Sequence, residues 1–133
     1  MSKTALIVED EIFVALDLER ILTEAGYIVQ AIAADREGAI AAASGASFAF
    51  VDINLRDGAT GPDIAARMAR DHGVRCVFVT ANPAQIGCGE GALGYIRKPF
   101  SERAILAAAA LAVDGIPPAN DDVVVLQTLN LGG

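Results

Sequence analysis

The sequence predicts an α/β fold: a doubly wound, five-stranded parallel sheet in the order 2-1-3-4-5, with helices on both faces. Short apolar runs alternate five times with longer stretches at helical spacing, which is the pattern of repeated β-α units. The apolar runs are unbroken, as expected of strands buried on both faces. Hydrophobic residues make up 53% of the chain and aromatic ones only 5%, so the core must be Ala, Val, Ile and Leu packed between helices and sheet. The 133 residues suit one domain. A domain of that size buries roughly two-thirds of its unfolded surface in a single core.

Each element has its own signal. Residues 4–8, Thr-Ala-Leu-Ile-Val, form the first strand. Ile12, Val14, Ala15, Leu16, Leu18, Ile21, Leu22 and Ala25 then recur at helical spacing, and Gly26 stands where a helix C-terminus favours glycine. Residues 27–33 read as the second strand, 36–44 as a short Ala-rich helix and 47–52 as the third strand. Gly61-Pro62 opens the next helix, with Pro in its first turn, and Gly73 stops it after His72. Residues 75–80 and 93–97 are the fourth and fifth strands. Ser101 caps the last helix, with Glu102 in its first turn, and that helix runs to about Val113. Right-handed crossovers leave few topologies for five such units, and the doubly wound order is the natural one.

That topology says where to look for chemistry. Ligands bind outside the carboxyl ends of the strands, at the switch point between the first and third. The first strand ends in Glu9-Asp10-Glu11, the third in Asp52, the fourth in Thr80 and the fifth in Lys98-Pro99. Carboxylates gathered at one switch point repel each other and favour a cation. Hard oxygen donors suit Mg²⁺, which keeps some waters and accepts a phosphoryl oxygen. A lysine and a hydroxyl beside them can hold the other phosphoryl oxygens.

Taken together, residues 6–11 (Leu-Ile-Val-Glu-Asp-Glu), the lone Asp52, Val79-Thr80-Ala81 and Lys98-Pro99-Phe100 resemble the signature of CheY-like receiver domains of two-component response regulators. The resemblance covers roughly residues 4–113, with the four motifs in register. It implies a phosphoacceptor signalling module rather than an enzyme acting on other substrates. Asp52 would take phosphate from a sensor histidine kinase or a phosphotransfer protein. Asp10 would bind Mg²⁺ directly, Glu9 through water, and Asn54 through its backbone carbonyl. Thr80 and Lys98 would hold the phosphoryl group, Tyr95 would be the aromatic switch partner, and a cis bond is implied before Pro99. The output would be altered binding of a downstream protein, which the sequence does not name. A homodimer is left open.

Each residue also has a plainer reading. Asp10 can be read as a cap of the first helix, Asp52 as the Asx residue of a turn, Thr80 as a strand residue of high β propensity, and Lys98 as a surface charge. Tyr95 can be a simple strand aromatic. His72, the only histidine, reads as a solvated residue in the last turn of its helix. The case for a site rests on four motifs converging at one sheet edge.

Two departures from the family pattern stand out. Arg56 occupies a position where the family usually has proline. Tyr95 comes 15 positions after Thr80 (95 minus 80), shorter than the usual spacing by about one helical turn of ~3.6 residues. The segment between carries glycines at 87, 89 and 91, each costing ~1 kcal/mol in a helix interior. A short helical turn or an irregular loop is expected there in place of the usual fourth-crossover helix.

Composition excludes other classes. A net charge of −7 argues against sequence-independent nucleic-acid binding and against docking on anionic membranes. Cys76 and Cys88 form no zinc pattern; Cys76 reads as a core residue and Cys88 as exposed. Neither a signal peptide nor a membrane span is legible, so a cytoplasmic location is expected. Residues 1–114 read as the receiver and 115–133 as a linker and apolar tail, with 123–131 β-prone. Too little chain follows for a DNA-binding output domain, so the sequence reads as a stand-alone receiver or one cut from a longer protein. The rivals are a pseudo-receiver that never sees phosphate and a small flavodoxin-like enzyme or nucleotide binder. Against the second, no GxGxxG motif follows the first strand and no GxxxxGK(S/T) P-loop occurs anywhere.

Overall fold

The computed structural model describes residues 3–119 and 121–126. Its elements are β1 (Thr4–Val8), α1 (Ile12–Glu24), β2 (Ile28–Ala33), α2 (Arg36–Ala42), β3 (Phe48–Val51), α3 (Gly61–His72), β4 (Arg75–Thr80), a 3₁₀ turn (Pro83–Ile86), β5 (Ala92–Arg97), α4 (Glu102–Asp114) and β6 (Val124–Val125). The sheet runs β2-β1-β3-β4-β5-β6. Its first five strands are parallel in the expected order. The expectation of five strands is corrected to six: β6, from the apolar tail, pairs antiparallel with β5 through Gly94–Val125 and Tyr95–Val124. The rest of the β-prone tail, 127–131, lies outside the described residues.

Helices cover both faces. Leu18, Ile21 and Leu22 of α1 and Ile105, Ala108 and Ala112 of α4 pack with Ile7, Phe48, Phe50 and Val79 on one face. Ala39 of α2 and Ile64, Ala65 and Met68 of α3 pack with Leu6, Val8, Val51 and Phe78 on the other. Fully burying one large side chain of this kind contributes about 1.5–3 kcal/mol. Cys76 is wholly buried in this second face.

The expected stops and caps are in place. Ser101 accepts a hydrogen bond from Ala104 N at the start of α4. Gly73 ends α3 in the left-handed conformation, φ 66°. Asp10 does not cap α1; the capping position is Glu11, with no side-chain bond. Where the three glycines fall, the fourth crossover has no α-helix, only the 3₁₀ turn, and Ile86 alone of that turn is buried. Gly87, Gly89 and Gly91 all have positive φ, conformations that side chains strain to adopt. No helix among the described residues is long and apolar enough to cross a membrane.

Candidate functional site

Parallel strands end at one edge of the sheet, and the ladder fixes what they deliver there. Glu9 N donates to Ala33 O, and Asp52 N donates to Val8 O, so the residues just past β1 and β3 are held side by side. One carboxylate oxygen from each of Glu9, Asp10 and Asp52 falls within 4.8 Å of the others. Glu9 and Asp52 are buried, at 2% and 8% exposure, and Asp10 is open to solvent. The three offer a hard oxygen set with an exposed side, which fits a divalent cation that keeps waters.

Lys98 closes the group. Its Nζ donates to Glu9 Oε1 at 2.8 Å and to Asp52 Oδ2 at 3.0 Å. The reading of Lys98 as a surface charge is not what the structure shows. The second Glu9 oxygen accepts from Glu11 N at 3.1 Å, and Asp52 Oδ1 accepts from Ile53 N at 2.7 Å. Burial pushes the Glu9 carboxyl up to about 7, against the downward pull of Lys98 and the Glu11 amide; the Asp52 charge adds to the rise. Burial also works against the Lys98 charge, but its hydrogen bonds to Glu9 and Asp52 outweigh that and its pKa rises. Apart from burial, the Asp52 charge raises both groups: it disfavours a second carboxylate and favours the ammonium.

Thr80 ends β4, almost wholly buried, and its Oγ1 accepts from Asn82 N at 2.9 Å. The Lys98 amide donates to Thr80 O at 2.9 Å, so β4 and β5 deliver the hydroxyl and the ammonium in register. The Lys98–Pro99 bond is cis. Asp10, Glu11, Asp52, Asn54, Ala81, Asn82 and Lys98 line a single open pocket. Tyr95 is not in it. It sits partly buried on β5, on the α2/α3 side of the sheet, beside the cleft that Arg97, Asp122 and Val124 also line. His72 is exposed in the last turn of α3 and Cys88 is exposed in the fourth crossover.

Two contacts have no sequence signal. Asn54 Nδ2 donates to Gln85 Oε1 at 2.8 Å, joining the loop after Asp52 to the 3₁₀ turn. Asp57 accepts from Thr60 Oγ1 at 2.8 Å and from Arg36 N at 3.1 Å, clamping the same loop to α2. Arg56 donates its backbone amide to Ala34 O. Its side chain is exposed.

A doubly wound sheet with an acidic pocket and an ion-paired lysine at its switch point defines the class of receiver modules. The chain belongs to the response regulator receiver domain family, whose model matches residues 5–110. It is 33% identical over 105 residues to the phyllosphere-induced regulator PhyR of Methylorubrum extorquens, a match covering 75% of this chain and 39% of that protein. The chain therefore spans well under half the length of that curated relative. Among solved structures it is similar to the PhyR response regulator receiver domain of Erythrobacter litoralis, with TM-score 0.78 and 27% identity, covering 90% of this chain and 97% of that one. It is also similar to a CheY-like receiver protein of Methanospirillum hungatei, with TM-score 0.72 and 25% identity, covering 86% and 96%. It is a receiver of two-component signalling.

Proposed function

We propose that Asp52 accepts a phosphoryl group from the phosphohistidine of a sensor histidine kinase or phosphotransfer protein, and that the modified domain changes its binding to a downstream protein. The observation that carries this reading is the Lys98 ammonium held between Glu9 and Asp52 at the switch point. An acidic pocket with a fixed cation can receive a phosphoryl group whose oxygens take over the lysine.

In the transfer, an Asp52 carboxylate oxygen forms a bond to phosphorus. The phosphorus–nitrogen bond of the donor breaks, and its electron pair stays on the imidazole, which is then protonated. Lys98 turns from the bare carboxylate to a phosphoryl oxygen, and the Thr80 hydroxyl donates to another. Mg²⁺ would be held by Asp10 and Asp52, by Glu9 through water and by the backbone carbonyl of Asn54. Bound there, it neutralises charge on the transferring group. Tyr95 and Thr80 would carry the change outward. The domain so read is a signalling module of the cell interior, residues 1–114 with a C-terminal extension.

Phosphorylation by acetyl phosphate in Mg²⁺ tests the reading by intact mass. The wild type gains one phosphoryl group and Asp52→Asn gains none; a substituted chain that still gains it moves the acceptor elsewhere.

A further inference from the structure

The tail strand sits where the fourth-crossover helix is missing. Leu126 packs on the α2/α3 face together with Tyr95 and Ile86. Its amide donates to Leu93 O at 2.9 Å, extending the β5 ladder beyond β6. Val123 is 3% exposed within the opposite core, so the segment inserts one side chain on each side of the sheet edge. Arg103 on α4 holds its start through an ion pair to Asp122, with Nη2 at 2.7 Å.

Two glycines clear the way for it. A Cβ on Gly94 would lie 2.5 Å from Val124 O, and a Cβ on Gly89 would lie 2.8 Å from Leu126 Cδ1. Yet β6 has only two residues, Val124 and Val125, 40% and 48% exposed. A strand so short and open is marginal by itself. Its seat is made of the parts nearest the switch. Gly89 and Ile86 lie beside Leu126, Tyr95 pairs with Val124, and the residue before Ile86 is Gln85, bonded to Asn54. The same crossover begins at Asn82, whose amide holds the Thr80 hydroxyl.

We propose that residues 121–126 form a displaceable strap that stabilises the unphosphorylated arrangement of the crossover, so that phosphorylation at Asp52 and strap docking oppose each other. The proposal rests on the reading of Asp52 as acceptor. A Thr80 hydroxyl drawn to a phosphoryl group loosens its hold on Asn82, and the turn that seats Leu126 shifts with it. By linkage, removing the strap must then tighten binding of a phosphoryl mimic by the same factor that the mimic weakens strap docking. Release uncovers the β5 edge, a row of backbone donors and acceptors suited to an extended segment of a partner protein.

The test uses the full chain, Mg²⁺ and beryllofluoride. Gly94→Ala adds one methyl group that the strand conformation tolerates but the strap does not. Amide exchange at Val124, Val125 and Leu126 reports docking, and fluorine resonance of bound beryllofluoride reports the site. Leu126 is expected to be protected in the free wild type and to lose protection on saturation with beryllofluoride. Gly94→Ala loses that protection at the outset and binds beryllofluoride more tightly, by roughly fivefold or more. A chain ending at residue 119 must bind the mimic as Gly94→Ala does. Unchanged Leu126 protection in wild type that binds the mimic, or equal affinity in all three proteins, overturns the strap and leaves Asp52 standing. No bound fluoride signal in any of them removes the acceptor reading and the strap with it.

Discussion

Asn54 donates from its side-chain amide to Gln85 at 2.8 Å, tying the loop that follows Asp52 to the 3₁₀ turn of the fourth crossover. A change at Asp52 therefore has a direct route to the segment that stands in place of a crossover helix. Both residues are exposed, so the bond adds little to global stability.

The first prediction concerns this segment. With glycines at positive φ and a 3₁₀ turn anchored by Ile86, residues 83–92 exchange amide hydrogens fast in the free protein and slowly in the second arrangement that the crossover takes with beryllofluoride bound, while the Asn82 amide, held by Thr80 Oγ1 in the free protein, changes the opposite way. Tyr95 changes exposure with them. Gln85→Ala speeds exchange in the free protein while shifting stability by no more than about 0.5 kcal/mol. Equal exchange with and without the mimic, in protein shown to bind it, would remove the crossover from the switch.

The second concerns the metal. Glu9, Asp10 and Asp52 place ligand atoms within 4.8 Å of one another. Mg²⁺ that binds this site but not the unfolded chain raises thermal stability by mass action. Asp10→Ala removes the exposed ligand without touching the core, and most of the Mg²⁺-dependent shift in Tm is lost with it. A full shift in that variant would exclude Asp10 as a ligand.

The third concerns Gly61, at the start of α3. A Cβ there would overlap the carbonyl oxygen of Asp52 and lie 2.6 Å from Ile53 Cα. Those are backbone atoms, so the strain cannot be relieved by a rotamer change. Gly61→Ala is expected to destabilise the fold by about 1–3 kcal/mol and to weaken Mg²⁺ binding, because the Asp52 backbone must move. Urea denaturation of the variant measures the first effect and Mg²⁺ titration the second; wild-type values for both would show that the loop has slack.

The fourth uses the two thiols. Burial pushes the Cys76 thiol up to about 12, while Cys88 is exposed in the crossover. A thiol reagent near pH 8 labels one cysteine in the native protein, found at position 88, and two after denaturation. Slower labelling of Cys88 with beryllofluoride bound reports ordering of the crossover independently of amide exchange.

Much of the site is legible in the sequence because the chemistry lies at strand ends. Unbroken apolar runs such as residues 4–8 mark the strands, and the first polar residues after them, Glu9, Asp10 and Asp52, must meet at the switch point. The loss of a crossover helix is legible too, since Gly87, Gly89 and Gly91 oppose helix formation locally. The pairing of Val124–Val125 is not. A two-residue strand carries no periodicity, and its partner is decided by which sheet edge lies free and by Gly94, whose missing side chain reads as an ordinary small residue. The Asn54–Gln85 bond is equally silent, because it depends on the path of the crossover rather than on either residue's type.

The most direct measurement maps the acceptor itself. An aspartyl phosphate is an acyl phosphate, which borohydride reduces to homoserine, whereas a free carboxylate is left alone. Protein treated with acetyl phosphate and Mg²⁺, then reduced and digested, should carry homoserine at position 52 and nowhere else, with none in protein lacking either reagent. Homoserine at position 10, or phosphate retained after Asp52→Asn, would contradict Asp52 as the phosphoacceptor.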